Sequence, residues 1–552
     1  MKKILIVISL FSLGLFYSCE GPLEKKPLDV FSELDVWNDA ALAEGFVYDI
    51  YSDVVRGMYV TQYTDDWTDN IVCNDDNGGG RNVQAGNIEI SSDYGWNRYG
   101  QIRKCNLAID RLTDNDAINE AIATQLIAEA KLMRAMVYFW QARRFGGLML
   151  VKAVLTPEDE MKLSRSTERE TYDFIQQDIS DAIADLPETA EPGRFNKATA
   201  YAFMSQVALQ IGDYDKVIAA VDEIEKRNYS LDPIYSNMFN SFSGTTTSPE
   251  VIFFYSIGED HNSYIDTRMF RNLTNCYNGP KLREDAVPQY HPEDEFNAWP
   301  LRWPSQELVD AYLFKEGGIA VQKKAEEFQG EPSRLMWENR DDRFEMSIVR
   351  DSAQYSKSIF TFRRGGNAHW TSNPLSTWGM SKSGYMFRKW MYEDQFFFYN
   401  YPVEWAEPIF RLGEVFLNKA EAYGRKGDMP KAIEYMNKTR TIHGGLPELP
   451  TNSSEEDFWK YYKIERQVEM VQEDDRYWSL VRWARAENAT SVPELNGYRL
   501  HGLDMEFDGL VNVVESPFTV DMKFEMPKRL FFPVPESQIR LNESLEQNPG
   551  WN

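Results

Sequence analysis

Residues able to break bonds are present in this chain, but not in arrangements that do so. The five histidines, His261, His291, His369, His443 and His501, are widely separated. None falls in an HExxH pattern, which would set two imidazoles on one helix face around a zinc ion. No G-x-S-x-G elbow and no phosphate-binding glycine loop occurs. The 86 Asp and Glu residues leave a glycosidase-type acid pair open by number, but no spacing singles one out. An acidic stretch, Asp65-Asp66-Trp67-Thr68-Asp69-Asn70 followed by Asn74-Asp75-Asp76-Asn77, offers the hard oxygens that suit calcium. Its spacing is not that of an EF-hand loop. No catalytic residue, no cofactor and no catalytic metal is expected; a structural calcium here is the one metal expectation.

Binding chemistry has more support. A sugar ring has polar edges and an apolar C–H face, and that face stacks on Trp or Tyr while amides, carboxylates and guanidiniums read the hydroxyls. Two regions combine such residues. One holds Asp65, Asp66, Trp67 and Asn70. The other holds Asn275, Tyr277, Tyr290, Trp299, Trp303, Trp370 and Trp378. Taken singly, each tryptophan also fits core packing.

The elements that position these residues divide the chain by pattern. Positions 36–58 repeat apolar residues at helical spacing, while 59–95 lack a period and read as a long loop. Helices are expected over 96–112, 119–145 and 167–186, and as a hairpin over 198–211 and 214–226. The hairpin's turn, Gly212-Asp213 followed by Lys216 and Ile218, recurs as Gly427-Asp428 with Lys431 and Ile433. Small residues precede both turns, Ala202, Ser205 and Ala208 in one and Ala420 and Ala422 in the other, as in tetratricopeptide repeats. The reading is mainly α: scattered tetratricopeptide-like repeats form a scaffold, and a large irregular mixed α/β insertion carries the ligand surface. Short strands are expected at 251–255, 358–362, 511–514 and 530–533. The divisions are 1–18, 19–35, 36–229, 230–405 and 406–552, the last four within one compact body.

Composition sets further bounds. The chain has 552 residues, 43% of them hydrophobic, and a formal charge of −27. That charge opposes nucleic-acid binding, which needs a basic face. The four cysteines, Cys19, Cys73, Cys105 and Cys276, contain no CxxC pair, so neither a zinc knuckle nor a disulfide framework is expected. At the N-terminus, Lys2-Lys3 precedes an apolar stretch over 4–17, too short to span a bilayer and suited to a signal-peptide core. Ser18-Cys19 follows directly and resembles a bacterial lipoprotein cleavage site, with Phe16 in place of the usual leucine. Residues 1–18 are therefore expected to be removed and Cys19 to be lipidated.

Several separated motifs are similar to those of one family. They are Leu23-Glu24-Lys25-Lys26-Pro27 after the cysteine, Trp96-Asn97-Arg98-Tyr99-Gly100 leading to Asn106, and Glu129-Ala130 with Arg134 and Tyr138. Further on come Arg411, Glu414, Ala420-Glu421-Ala422, Asn437 and Arg440; then Glu465-Arg466, Glu469, Glu473, Arg476 and Arg482-Trp483; and finally Gln547-Asn548-Pro549-Gly550. In order and spacing they resemble the SusD/RagB family of outer-membrane lipoproteins. Gln467, Asp474 and Ser479 depart from its more usual Arg, Gly and Asp. The charged residues from 465 to 482 fall at helical spacings and are expected to form ion pairs that fix helix packing. The resemblance implies a lipid-anchored, outward-facing glycan-binding protein that is not an enzyme. It also implies a partner, a SusC-type TonB-dependent outer-membrane transporter docked on the helical repeats. Peptide capture, a surface glycoside hydrolase and a purely structural scaffold are the competing readings.

Overall fold

The computed structural model describes residues 33–551 except 61–62, 74–79, 259–275, 278–300, 356–357, 367, 371–379, 394–396 and 399–401, with backbone alone at 33–34, 276–277, 358 and 397–398. Helices dominate the first half. They are α1 (Ala40–Tyr51), α2 (Tyr99–Leu112), α3 (Glu120–Phe145), α4 (Glu168–Asp185), α5 (Lys197–Gln210) and α6 (Tyr214–Glu225). Their boundaries have local causes. Asn119 caps α3 by accepting from the Ala121 amide, and Gly146, at φ 76°, ends it. Thr167 and Glu170 close a reciprocal capping box at the start of α4. The middle of α3 is buried on nearly every face, from Leu132 to Ala142. A helix apolar all round belongs inside, and α3 packs against α2 on one side and α4 on the other.

The recurring turn motif marks two helix hairpins that meet in space. The second consists of α7 (Leu412–Arg425) and α8 (Met429–Ile442), and α7 packs on both α5 and α6. Ala202, Ser205, Ala208, Ala420 and Ala422 are all buried, and the Asn418 amide donates to the Ser205 hydroxyl. Small side chains allow this close approach, so repeats distant in sequence form one stack. Two more helices follow, α9 (Glu455–Glu469) and α10 (Arg476–Ala486).

Among the described residues, strands form only two-stranded ladders. In chain order, β1 is Ile71–Cys73, β2 Val251–Ile257, β3 Arg302–Pro304 and β4 Trp405–Arg411. β2 and β4 run antiparallel, Val251 opposite Arg411 and Ile257 opposite Trp405, and clasp the two ends of the aromatic-rich insertion. β3 pairs with β1, Trp303 opposite Val72. Three expectations need correction. The stretch 59–95 is not a bare loop: it contains a π-helical segment continuing α1 (Ser52–Val60), a 3₁₀ turn (Thr64–Trp67), β1 and a short helix (Gly80–Gln84). No strand forms at 530–533, where a 3₁₀ turn covers Lys528–Leu530. The strand expected at 511–514 lies at Val513–Glu515 and pairs with His501–Leu503.

A charge network pins the neck of the insertion to the C-terminal helices. Arg411, at the end of β4, reaches Glu469 at 2.5 Å, Glu473 at 2.7 Å and Glu250 at 3.1 Å. Arg343 holds Asp341, Glu465 and Glu469. His443 bridges Glu250 at 3.0 Å and Glu469 at 2.9 Å, and Lys389 pairs with Glu473 at 2.6 Å. All of these groups except Glu473 are almost completely enclosed. The ion pairs expected along α9 and α10 do form, but their partners lie on other elements: Arg343 for Glu465, Asp475 for Arg466, Asp69 for Arg476 and Glu421 for Arg482.

Candidate ligand-binding site

The acidic stretch at 65–70 faces inward. Asp66 is bound by Arg302 at 2.6 Å and Asp69 by Arg476 at 2.7 Å. Asp65 accepts the Gln472 amide at 2.6 Å, and Asn70 accepts from the Gln467 side chain at 2.9 Å. Trp67 is half-buried, edge-on to Tyr477, Trp478 and Phe532. Trp303 is fully buried. A ligand contact at Asp65, Asp66, Asn70 or Trp303 is thus corrected to a packing role, while Trp67 is only partly covered by its aromatic neighbours. These contacts lock 64–73 onto α10 and β3. Arg302 and Arg476 supply the counter-charge at Asp66 and Asp69.

Cys19, Asn275, Tyr290, Trp299 and Trp378 lie outside the described residues, and so do Asn74 to Asn77. Tyr277 is described by its backbone alone, in a parallel ladder of Cys276–Tyr277 with Phe397–Phe398. Cys73 and Cys105 are buried, and burial pushes the Cys105 thiol up to about 12.

Trp370 remains as a partly exposed aromatic with polar neighbours. Its ring stacks on His369 at 4.4 Å, and His369 is itself buried. His369 Nε2 lies 3.2 Å from the Asp504 carboxylate. The Arg364 guanidinium spans two carboxylates, donating from Nε to Asp504 at 3.1 Å and from Nη1 to Glu506 at 3.0 Å. Although burial alone would raise Asp504, Arg364 and His369 hold it below the usual carboxylate range. The adjoining turn presents Phe507, 73% exposed. This ring lies over Gly365, whose φ is +75° and where a Cβ would come within 2.8 Å of it. An aromatic face, a forked guanidinium and two carboxylates therefore share one surface. That surface can stack a flat apolar face and hydrogen-bond hydroxyls or charged groups at its edge. Sequence reasoning found Trp370 but missed Arg364, Asp504, Glu506 and Phe507; a turn ending at Gly509 that carries an exposed aromatic was the available signal.

Glu250, His443 and Glu469 also bring ligand-type atoms within 4.8 Å of one another. Arg411 Nη1 already sits on both carboxylates, however, and His443 is held protonated between them. A protonated imidazole has no lone pair to give a metal.

The arrangement is matched by known proteins. The profile described as SusD family matches residues 249–551. The chain belongs to the SusD family. A second profile, described as starch-binding associating with outer membrane, matches residues 50–209. SusD-like protein P38 of Formosa agariphila is 25% identical over 508 residues, covering 86% of this chain and 90% of that protein. The crystal structure of a SusD-like protein from Bacteroides fragilis superposes with a TM-score of 0.77 at 26% identity, covering 95% of this chain and all of that one. A SusD-like carbohydrate-binding protein from the same species superposes with a TM-score of 0.74 at 20% identity, covering 93% of this chain and all of that one. Membership in the SusD family confirms the mainly α, repeat-based fold. Among the described residues, no helix is long and apolar enough to cross a membrane.

Proposed function

We propose that this SusD-family chain is an outer-membrane, lipid-anchored nutrient-binding protein that captures a glycan reversibly and passes it to a SusC-type TonB-dependent transporter. The observation that carries the reading is the family match across the insertion and the C-terminal helices. The starch-binding profile over the N-terminal helices and the carbohydrate-binding neighbour support a sugar ligand. The Trp370 surface, with Arg364, Asp504 and Glu506 at its edge, has the groups such a ligand needs. No bond is broken in this mechanism, and the transporter docks on the repeats.

The test is calorimetry of the purified mature chain against a panel of polysaccharides and peptides. A polysaccharide should bind, and Trp370→Ala should weaken it about tenfold or more, the loss of one buried stacking contact. Unchanged affinity in Trp370→Ala would remove this surface from the site, and binding of peptides alone would replace the glycan reading with peptide capture. Release of reducing sugar above background would overturn the non-catalytic assignment. The anchor has a separate test. Cys19→Ala should move the protein from the membrane to the soluble fraction, because several acyl chains are needed for stable attachment. A variant still retained on membranes would refute lipidation at Cys19.

A further inference from the structure

Arginine partners follow a rule in this protein. Arg134, Arg302, Arg343, Arg411, Arg466, Arg476 and Arg482, all buried, each hold a carboxylate. Arg340 and Arg529, also buried, instead donate to backbone carbonyls. Arg143, half-buried near the C-terminal end of α3, has neither among the described residues. Its guanidinium is clamped between the Phe139 ring at 4.6 Å and the Trp478 ring at 4.7 Å, and its enclosed Nε–H has no acceptor. The Trp478 indole N–H, on a side chain only 3% exposed, is enclosed without an acceptor too.

Both residues line one cavity of about 80 Å³, together with Arg144, Gln206, Glu414 and Asp474. The volume equals that of two or three waters at about 30 Å³ each. Four arginines, Arg143, Arg144, Arg466 and Arg482, line it alongside the carboxyl groups of Glu407, Glu414, Glu473, Asp474 and Asp475. Arg144 stacks on Trp140 at 3.4 Å, and its Nη1 bonds the Trp140 carbonyl. Burial holds both Arg143 and Arg144 below their usual value, and the neighbouring Arg143 charge lowers Arg144 further. The carboxyls nearby are occupied. Asp474 accepts the Thr64 amide at 2.5 Å, Asp475 binds Arg466, and Glu473 binds Arg411 and Lys389. Glu414 accepts from Gln206 and is raised by burial, so it resists ionising. The Gln206 side-chain oxygen is itself without a donor, and Glu407 adds a further carboxyl group to the lining.

We propose that this cavity binds a small monovalent anion, a halide or a short carboxylate, on Arg143 Nε–H and Trp478 Nε1–H. The anion supplies the acceptor that both groups lack and neutralises a guanidinium left without a counter-ion inside the fold. It sits where α3, the turn at 64–67 and α10 meet, and its occupancy joins them.

The test uses the full mature chain. Sodium bromide and sodium acetate are titrated separately at constant ionic strength made up with gluconate, and the melting temperature is followed. A saturable rise is expected with at least one of them, reduced several-fold in Arg143→Met and in Trp478→Phe. A rise with bromide alone identifies a halide site, and a rise with acetate alone a carboxylate site. Wild-type crystals soaked in bromide should give an anomalous peak within hydrogen-bond distance of Arg143 Nε, or be blocked from it by acetate. Equal, unsaturating responses in wild type and both variants, or a cavity without bromide that acetate does not protect, would overturn the proposal. If Arg143→Met fails to fold, Trp478→Phe and the wild-type bromide map decide it.

Discussion

Arg411→Met is expected to destabilise the protein by about 3–5 kcal/mol at pH 7, measured as a lower urea midpoint at unchanged m-value. Among the described residues Arg411 is the one cation shared by Glu250, Glu469 and Glu473, and its side chain is 1% exposed. Methionine keeps most of the volume but strands carboxylates that have paid their desolvation cost. The remaining cations compensate unequally. Glu469 keeps Arg343 and His443, Glu473 keeps Lys389, and Glu250 keeps only His443. The Arg411 guanidinium also bonds the Glu469 carbonyl at 2.8 Å, which would be left open. The penalty arises from breaking a buried set, since replacing a whole buried ion cluster by apolar groups can be nearly neutral. The double variant Arg411→Met, Glu473→Gln should therefore recover part of the loss. A single-variant loss under about 1 kcal/mol would mean that water or a relaxed side chain screens these carboxylates, and the network would not be what holds the insertion's neck.

What was legible in the sequence was local. Asn119, Thr167 with Glu170, and Gly146 mark helix ends because a cap depends on residues within one turn. The repeated Gly-Asp turns with their small neighbours gave the two hairpins for the same reason. The site residues were harder because exposure depends on distant partners. Asp66 reads as a solvated loop residue until Arg302, 236 positions away, is placed on it, and Asp69 until Arg476, 407 positions away, is placed. Trp303 carried an aromatic signal suited to either a site or a core, and its pairing opposite Val72 made it core. Asp474 stands where the family more usually has glycine, and its φ of 58° shows why glycine fits there. The aspartate is retained in that conformation by its bonds to Thr64. The expected strand at 530–533 failed because, among the described residues, no second strand lies beside it, and an apolar run by itself does not make a ladder.

Stability should fall between pH 6.5 and 8 through His443. Burial alone would lower this imidazole, but Glu469 and Glu250 outweigh it and raise the group from its ordinary 6.5 to about 10. Because the folded value lies above the unfolded one, the contribution is complete below pH 6.5 and is lost as pH rises toward 10. The slope is about 1.4 kcal/mol per pH unit while the folded protein holds a proton the unfolded chain has released, or about 2 kcal/mol by pH 8. Neighbouring groups complicate the raw curve. Arg411 and Arg343 stay charged, and the Tyr235 phenol, whose ring lies 5.3 Å from His443, is raised by burial beyond this range. Lys389 has the opposite sign: burial lowers it to about 8, so above that pH the unfolded chain binds the extra proton and stability gains. The two effects largely cancel between pH 8 and 10. Subtracting a His443→Gln variant removes the Lys389 contribution, which both proteins share. The difference between wild type and variant, from urea unfolding at each pH, should shrink steadily from pH 6.5 upward and continue to shrink past pH 8. A difference that stays flat from pH 6.5 to 8 would mean His443 is neutral in the folded protein, and Glu250 and Glu469 would then be held by Arg411 and Arg343 alone.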